Sequence, residues 1–293
     1  MDRRNYLKAS SGAFAALALA GCLGDSSGSG SDDETSESGD GEKTSSEGKD
    51  DSDNGKIIVG SDIPYKPFEY RKADGSLEGF DPAIAEAVFK GQLGREYEFQ
   101  KTSFDTIIQS LKNKSFRVIM SAMTITDKRA EKVDFSDPYF TAYQTVAIRK
   151  GGDIGKLDDL KGKTVAVQKG TTGESAAEDL KKEFGGSLSI DSYDQITGAF
   201  NALSNKQAVA VINDNTVNAQ FVNEKDGIVF LEGKGEAEKQ GKKAPSYLTL
   251  TVEEYGIAFR KDDDELRKKV NDAIKTIKDD GTYDEIYGEY FEG

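Results

Sequence analysis

The chain has 293 residues, with 53 acidic against 39 basic side chains and a formal net charge of −14. That balance argues against nucleic acid, whose phosphates call for basic surface. It has no histidine and one cysteine, which excludes Ser-His triads, histidine general bases, histidine-bound zinc and any internal disulfide. No cofactor and no metal site is expected.

Asp2-Arg-Arg-Asn-Tyr-Leu-Lys8 is a charged start, and Ala13 to Ala20 is an apolar core too short to span a bilayer. The paired arginines resemble a twin-arginine export signal. Leu19-Ala-Gly-Cys22 resembles a lipobox, in which Cys22 would carry lipid and become the new N-terminus. The plainer reading of Cys22 is a buried or incidental thiol. Residues 1–22 are therefore read as a lipoprotein signal. Residues 23–54 hold 11 acidic residues and 2 lysines among Ser and Gly. Such a stretch cannot bury enough apolar surface to order itself, and reads as a self-repelling tether. The remaining 239 residues, 55–293, carry 41 acidic and 34 basic side chains, long enough for one large or two smaller domains.

Gly55 to Asp62 reads as a strand, followed by a proline-set loop, Ile63-Pro-Tyr-Lys-Pro-Phe68. Asp81 is placed as the cap of a helix with Pro82 in its first turn, running to Leu93. Glu96 to Lys101 alternates like a strand. Ser103 is placed as the cap of a helix to Lys112, with Phe104, Ile108 and Leu111 on one stripe. Phe116 to Met120 is a short apolar strand, and Thr141 to Arg149 a long alternating one. After Gly152 the pattern restarts. Strands are expected at 163–167, 188–192, 208–212 and 228–231. Helices are expected from the 168–173 loop to Phe184, from a cap at Asp194 to Asn205, and after Asp214. Residues 232–246 read as a surface loop and Tyr247 to Arg260 as a second long extended stretch. A helix over 264–279, capped by Asp262, and a short last helix close the chain. Strands alternating with helices give an α/β class with largely parallel sheets. The repeat after residue 150 suggests two similar lobes, with the long strands near 141–149 and 254–260 crossing between them.

Ligands in such folds sit beyond the carboxyl ends of the strands, where Asp62, Thr124, Gln168 and Asp214 fall. Between them lies Ser121-Ala-Met-Thr-Ile-Thr-Asp-Lys-Arg129. Here a strand end, threonine hydroxyls and a guanidinium make a cradle for a carboxylate. The bland alternative is a capped helix with a solvated arginine.

The globular part resembles the family 3 extracellular solute-binding proteins, the polar amino-acid receptors of ABC importers. The resemblance rests on Gly79-Phe-Asp81, Thr124 to Arg129, Asp134-Phe-Ser-Asp-Pro-Tyr139, Tyr255-Gly-Ile-Ala-Phe259 and Asp280-Gly-Thr-Tyr-Asp284, in order. It implies a two-lobed periplasmic-binding-protein-like fold of type II with two hinge strands. Lobe one would comprise 55–147 and 256–293, and lobe two 148–255. It implies that Arg129 grips a ligand α-carboxylate, helped by Thr124 and the backbone N–H near Ala122, with Thr171 and Thr172 completing that site. Asp214 would hold the α-ammonium, unless it serves only as a helix cap. Tyr65 and Phe104 would cover the ligand side chain, though Phe104 also fits a core stripe. Asp62 and Gln168 would read its end. Arg117 and Ala122 depart from the family's usual acidic residue and glycine.

The expected function is a lipid-anchored receptor on the outer face of the cell membrane. It would be a monomer, not an enzyme. It would bind a free amino acid, glutamine or a basic one, and deliver it to an ABC permease by closing its lobes. The alternatives are an enzyme on the same scaffold, such as a cyclohexadienyl-type dehydratase, and a sensory domain.

Overall fold

The computed structural model describes residues 55–242 and 245–291. The expected signal, Cys22 and the acidic tether lie outside the described residues. In chain order the strands are β1 (Ile57–Ser61), β2 (Tyr70–Arg71), β3 (Leu77–Glu78), β4 (Tyr97–Lys101), β5 (Val118–Ile119), β6 (Asp134–Phe135), β7 (Phe140–Arg149), β8 (Thr164–Gln168), β9 (Ser189–Tyr193), β10 (Ala210–Asp214), β11 (Ile228–Phe230), β12 (Thr249–Tyr255) and β13 (Ala258–Phe259). The α-helices are α1 (Phe80–Ala85), α2 (Ile107–Lys112), α3 (Asp127–Ala130), α4 (Thr172–Glu183), α5 (Ile196–Ser204), α6 (Asn215–Glu224), α7 (Glu236–Lys239), α8 (Asp264–Asp279) and α9 (Thr282–Phe291).

Two separate sheets organise the chain. The first runs β4-β1-β5-β13-β6, and the second β11-β7-β10-β8-β9 with β12 paired to β7. Within them β1 is parallel to β4 and β5, and β8 is parallel to β9 and β10. The expectation of largely parallel sheets needs correction, because β13 and β7 run antiparallel to their neighbours. The cause is the two crossings. β6 of the first sheet leads directly into β7, and β12 leads back into β13. β7 and β12 pair as one antiparallel ribbon, from Phe140 opposite Tyr255 to Thr145 opposite Thr249. Two lobes joined by two hinge strands follow from this connection, so the fold is α/β of the periplasmic-binding-protein type.

The cores explain why the elements sit where they do. On α8, Leu266, Val270, Ala273, Ile274 and Ile277 are buried at helical spacing. Each such aliphatic side chain contributes roughly 1.5–3 kcal/mol on full burial. Around the ribbon's first-sheet end, Phe68, Phe80, Phe140 and Tyr255 form an edge-to-face cluster closed by Phe291 from α9. The second sheet has its own aliphatic core, including Val146, Leu160, Val165, Leu180 and Ile212.

Several predicted caps are displaced, for local reasons. Helix α1 begins at Phe80 after Gly79, whose φ of 138° suits glycine and where a Cβ would lie 2.1 Å from the Phe68 carbonyl oxygen. Asp81 lies inside the helix, and its carboxylate faces Ala122 and Tyr139. The helix widens to a π-turn over Glu86–Gln92. Ser103 precedes a 3₁₀ turn, Phe104–Thr106, without capping it through its side chain. Gln195 replaces Asp194 at the start of α5, and Asp263 replaces Asp262 at the start of α8. Asp263 is engaged elsewhere, holding Arg117 through bonds of 2.9 and 3.1 Å, which accounts for that arginine. Residues 232–246 are more than a loop: they include α7, whose Ala237 is buried.

Candidate functional site

The residues expected at the strand ends meet in one cavity between the two sheets. Asp62, Tyr65, Phe104, Ala122, Thr124, Arg129, Gln168, Thr171, Thr172 and Asp214 line it, with Ser121. The space left among them is about 10 Å³, close to what one water needs. The lining side chains are drawn together across the cleft, and most of their polar atoms hydrogen-bond one another.

At one pole is Arg129, 9% exposed, in the third position of α3. Thr126 caps that helix, its hydroxyl accepting from the Arg129 backbone N–H at 3.2 Å. This fixes the arginine's place on the turn. Its guanidinium donates to the Thr124 carbonyl at 2.7 Å and the Gly170 carbonyl at 3.2 Å, and stands 5.2 Å from the Phe104 ring centre. Burial lowers its pKa, opposed chiefly by the charge of Glu253 and then of Asp214. Phe104 is half-buried: it packs against the core that holds Ile107 and Leu111, and the guanidinium lies over its ring.

Asp214 forms the opposite pole. It ends β10 and precedes α6, but its side chain makes no cap bond. Instead its carboxylate accepts from the Tyr65 hydroxyl at 2.7 Å, the Tyr255 hydroxyl at 2.6 Å and the Gln144 amide. Burial pushes its pKa up to about 7, assisted by the charge of Glu253, while the tyrosine hydroxyls and Arg129 pull it down. Arg129 and Asp214 therefore sense one another across the cavity. Tyr65 reaches Asp214 from the loop after β1, and its ring stacks on Phe68.

Asp62, 2% exposed, lies at the far end. It accepts from the carboxamide of Gln195 at 2.6 Å and from that of Gln168. Burial pushes its pKa up to about 6, against the pull of these two amides.

Two expected donors are spent elsewhere. The Ala122 N–H donates to Asp81 Oδ2 at 2.9 Å and so points behind the cavity. That residue has φ 44°, a left-handed conformation that glycine adopts more easily. The Thr171 hydroxyl caps α4 and donates to the Gln168 carbonyl at 2.7 Å. The Thr172 hydroxyl donates to Glu253 at 2.8 Å.

Four contributors were not foreseen. Gln144 on β7 and Glu253 on β12 both belong to the ribbon. The Gln144 amide nitrogen bonds Asp214 and lies 3.1 Å from the Thr172 hydroxyl and 3.4 Å from Glu253. Gln195 holds Asp62, and Ser121 accepts the Asp62 N–H at 2.9 Å while donating to Glu69 at 2.8 Å. A polar residue such as Gln144 inside a buried alternating strand was the available signal. Behind Ser121 lies a fully buried acidic pair, Glu69 and Asp81. Burial and the Asp81 charge push the Glu69 pKa well up. Among the described residues no cluster of side chains could hold a metal ion, and no helix is long and apolar enough to cross a membrane.

The chain is similar to known proteins over most of its length. Residues 57–293 match the bacterial extracellular solute-binding proteins, family 3. The arginine-binding extracellular protein ArtP of Bacillus subtilis (strain 168) is 34% identical over 244 residues, covering 83% of this chain and 89% of that protein. The ABC transporter glutamine-binding protein GlnH of the same organism is 34% identical over 239 residues, covering 80% of this chain and 81% of that protein. Among solved structures, an ancestral arginine-binding protein bound to arginine is 37% identical, with a TM-score of 0.72, covering 81% of this chain and 99% of that one.

Proposed function

Since the chain belongs to the bacterial extracellular solute-binding proteins of family 3, we propose that it is a receptor for a free polar amino acid with a cationic side chain. The observation that carries this reading is the charge layout of one cavity. A single buried guanidinium, Arg129, shares the cavity with the carboxylates of Asp214 and Asp62 and feels the charge of Glu253 behind its wall. Arg129 takes the α-carboxylate in bidentate fashion. Asp214 takes the α-ammonium, and Asp62 the cationic end of the side chain. Tyr65 and Phe104 flank the aliphatic stem, and Gln168 and Thr172 supply further polar contacts. A buried zwitterion needs both charges answered, since an unpaired one costs several kcal/mol. The two answering groups come from elements attached to different sheets, so closure of the lobes, 55–147 with 256–293 against 148–255, is coupled to capture.

Glutamine is the second reading. Asp62 already accepts two carboxamides, from Gln168 and Gln195, and a ligand carboxamide could take the place of either. Titration calorimetry against the common amino acids separates the two. We expect arginine and lysine to bind most tightly, glutamine more weakly, and aspartate and glutamate not at all. A ligand present at ~100 times its dissociation constant adds about 2.7 kcal/mol of stability, seen as a thermal shift. Tightest binding of an acidic amino acid, or no response to any amino acid, overturns the proposal.

The proposal includes the wider role: a monomeric, non-enzymatic receptor, attached to the outer membrane face through lipid on Cys22, that delivers its ligand to an ABC permease. The arginine-binding and glutamine-binding names of the relatives support the transport role. Release of a Cys22→Ser variant into the medium tests the anchor.

A further inference from the structure

Glu253 does not line the cavity, yet it organises two of the residues that do. It is 7% exposed, on hinge strand β12. Its Oε2 accepts from the Thr124 hydroxyl at 2.6 Å and the Thr172 hydroxyl at 2.8 Å, and its Oε1 accepts from Thr251 at 2.8 Å. An ionised carboxylate can only accept. Each threonine hydroxyl has one hydrogen, so both hydrogens point at Glu253 and the oxygen lone pairs remain. On Thr172 a lone pair is used by the Gln144 amide at 3.1 Å. The Thr124 oxygen also lies 3.4 Å from that of Thr172. With both hydrogens on the shorter bonds to Glu253, neither hydroxyl donates to the other. On Thr124, which lines the cavity, the lone pairs are therefore left to face a ligand. The same Gln144 amide bonds Asp214, so the oriented hydroxyls and the acidic pole belong to one network.

Resting on the receptor reading above, we infer that Glu253 is a positioning residue that turns the Thr124 hydroxyl into a hydrogen-bond acceptor. The α-ammonium site then has two acceptors, Asp214 and Thr124, and the receptor demands an α-amino group. An ammonium offers three donors and a carboxylate none. A threonine free to rotate would serve either ligand end, whereas one committed to Glu253 serves only the cationic end. The buried charge of Glu253 also favours a cation there over a neutral group.

The test uses the full chain and calorimetry with the tighter-bound of L-arginine and L-glutamine, each paired with its deamino analogue, 5-guanidinopentanoate or glutaramate. Wild type should prefer the amino acid. Glu253→Gln and Glu253→Ala should each lower that preference by about tenfold, the worth of a charge-assisted hydrogen bond, through the amino acid's affinity alone. Thr124→Val should lower it similarly, and Glu253→Ala added to Thr124→Val should change it little further. The two Glu253 variants and Thr124→Val give independent readings should one of them fold poorly. An undiminished preference in both Glu253 variants overturns the inference and leaves the receptor reading standing. A wild type that binds neither amino acid, or shows no preference, overturns the receptor reading and the inference with it. Equal losses for amino acid and analogue mark Glu253 as a structural residue and also overturn the inference.

Discussion

Asp214→Asn should make the ligand-free protein more stable and the receptor worse. Asp214 is 4% exposed, and burial with the Glu253 charge pushes its pKa up to about 7 from an ordinary value of 3.8. The folded chain thus holds this proton more tightly than the unfolded chain does. Stability from this group is present at low pH and is lost as pH rises from about 4 through 7. Above pH 7 the ionised side chain costs on the order of 4 kcal/mol. Asparagine keeps the shape and one acceptor oxygen, but its NH₂ faces a hydroxyl that formerly donated, which returns about 1–2 kcal/mol of penalty. The ligand-free variant should therefore gain roughly 2 kcal/mol at pH 8, seen as about 4–8 °C in Tm for a domain of this size. The gain should shrink toward pH 4, where the wild-type group is protonated. Binding moves the other way. Losing the partner of a buried ammonium costs about 2–5 kcal/mol, or from about 30-fold to several thousand-fold in Kd. Thermal unfolding at pH 5 and pH 8 without ligand, with calorimetry of L-arginine at pH 8, reads both arms. Wild-type affinity, or a loss of stability equal at both pH values, would refute the reasoning.

Three further outcomes follow from other parts of the molecule. Asp62, with its pKa pushed up to about 6 by burial, should bind a cationic side chain only when ionised. Arginine affinity should fall as pH drops through about 7 and 6, and Asp62→Asn should remove the lower step while leaving the upper one, which belongs to Asp214; a flat wild-type profile between pH 5 and 8 would contradict it. Gly170 has φ 77°, and a Cβ there would lie 2.8 Å from Asp105 Cα across the cleft. Gly170→Ala should hold the lobes apart and weaken binding by about tenfold or more with little change in ligand-free Tm, since a displaced close contact costs roughly 1–3 kcal/mol; unchanged affinity counts against it. Arg117→Ala removes an ion pair to Asp263 whose side chains are 14% and 9% exposed. It should cost about 3 kcal/mol in denaturant unfolding and leave ligand affinity alone; a stability change under ~1 kcal/mol would contradict this.

Much of the fold was legible because it is written in local patterns. The α8 stripe, the alternation of β7 and the strand-to-helix turn at Thr126 each depend on residues a few positions apart. What was missed depends on distance in sequence. Asp81 looked like a cap because Pro82 follows it. The chain instead uses Gly79 to start the helix, and Asp81 anchors a loop 41 residues away through the Ala122 N–H. Asp263 was displaced from notice by its neighbour Asp262, because its partner Arg117 lies 146 residues earlier. In the site, the polar strand ends could be read from position alone. Gln144 and Glu253 could not, since each acquires its role only when β7 and β12 pair and bring both beside Asp214 and Thr172.

The same pairing explains how a cleft so acidic can be useful. Asp62 and Asp214 both sit where water would ordinarily solvate a carboxylate, and burial raises both pKa values accordingly. The protein meets these charges with neutral amides and tyrosine hydroxyls, which soften the penalty without removing it. On the proposed reading, a cationic amino acid would answer both carboxylates with its two positive groups, while its carboxylate would answer Arg129. An amino acid with a neutral side chain relieves only the Asp214 end. On that reading the acidic surplus is a cost to the fold that a basic ligand, more than a neutral one, would remove. Discrimination comes from relief of buried charge, beyond the fit of the side chain.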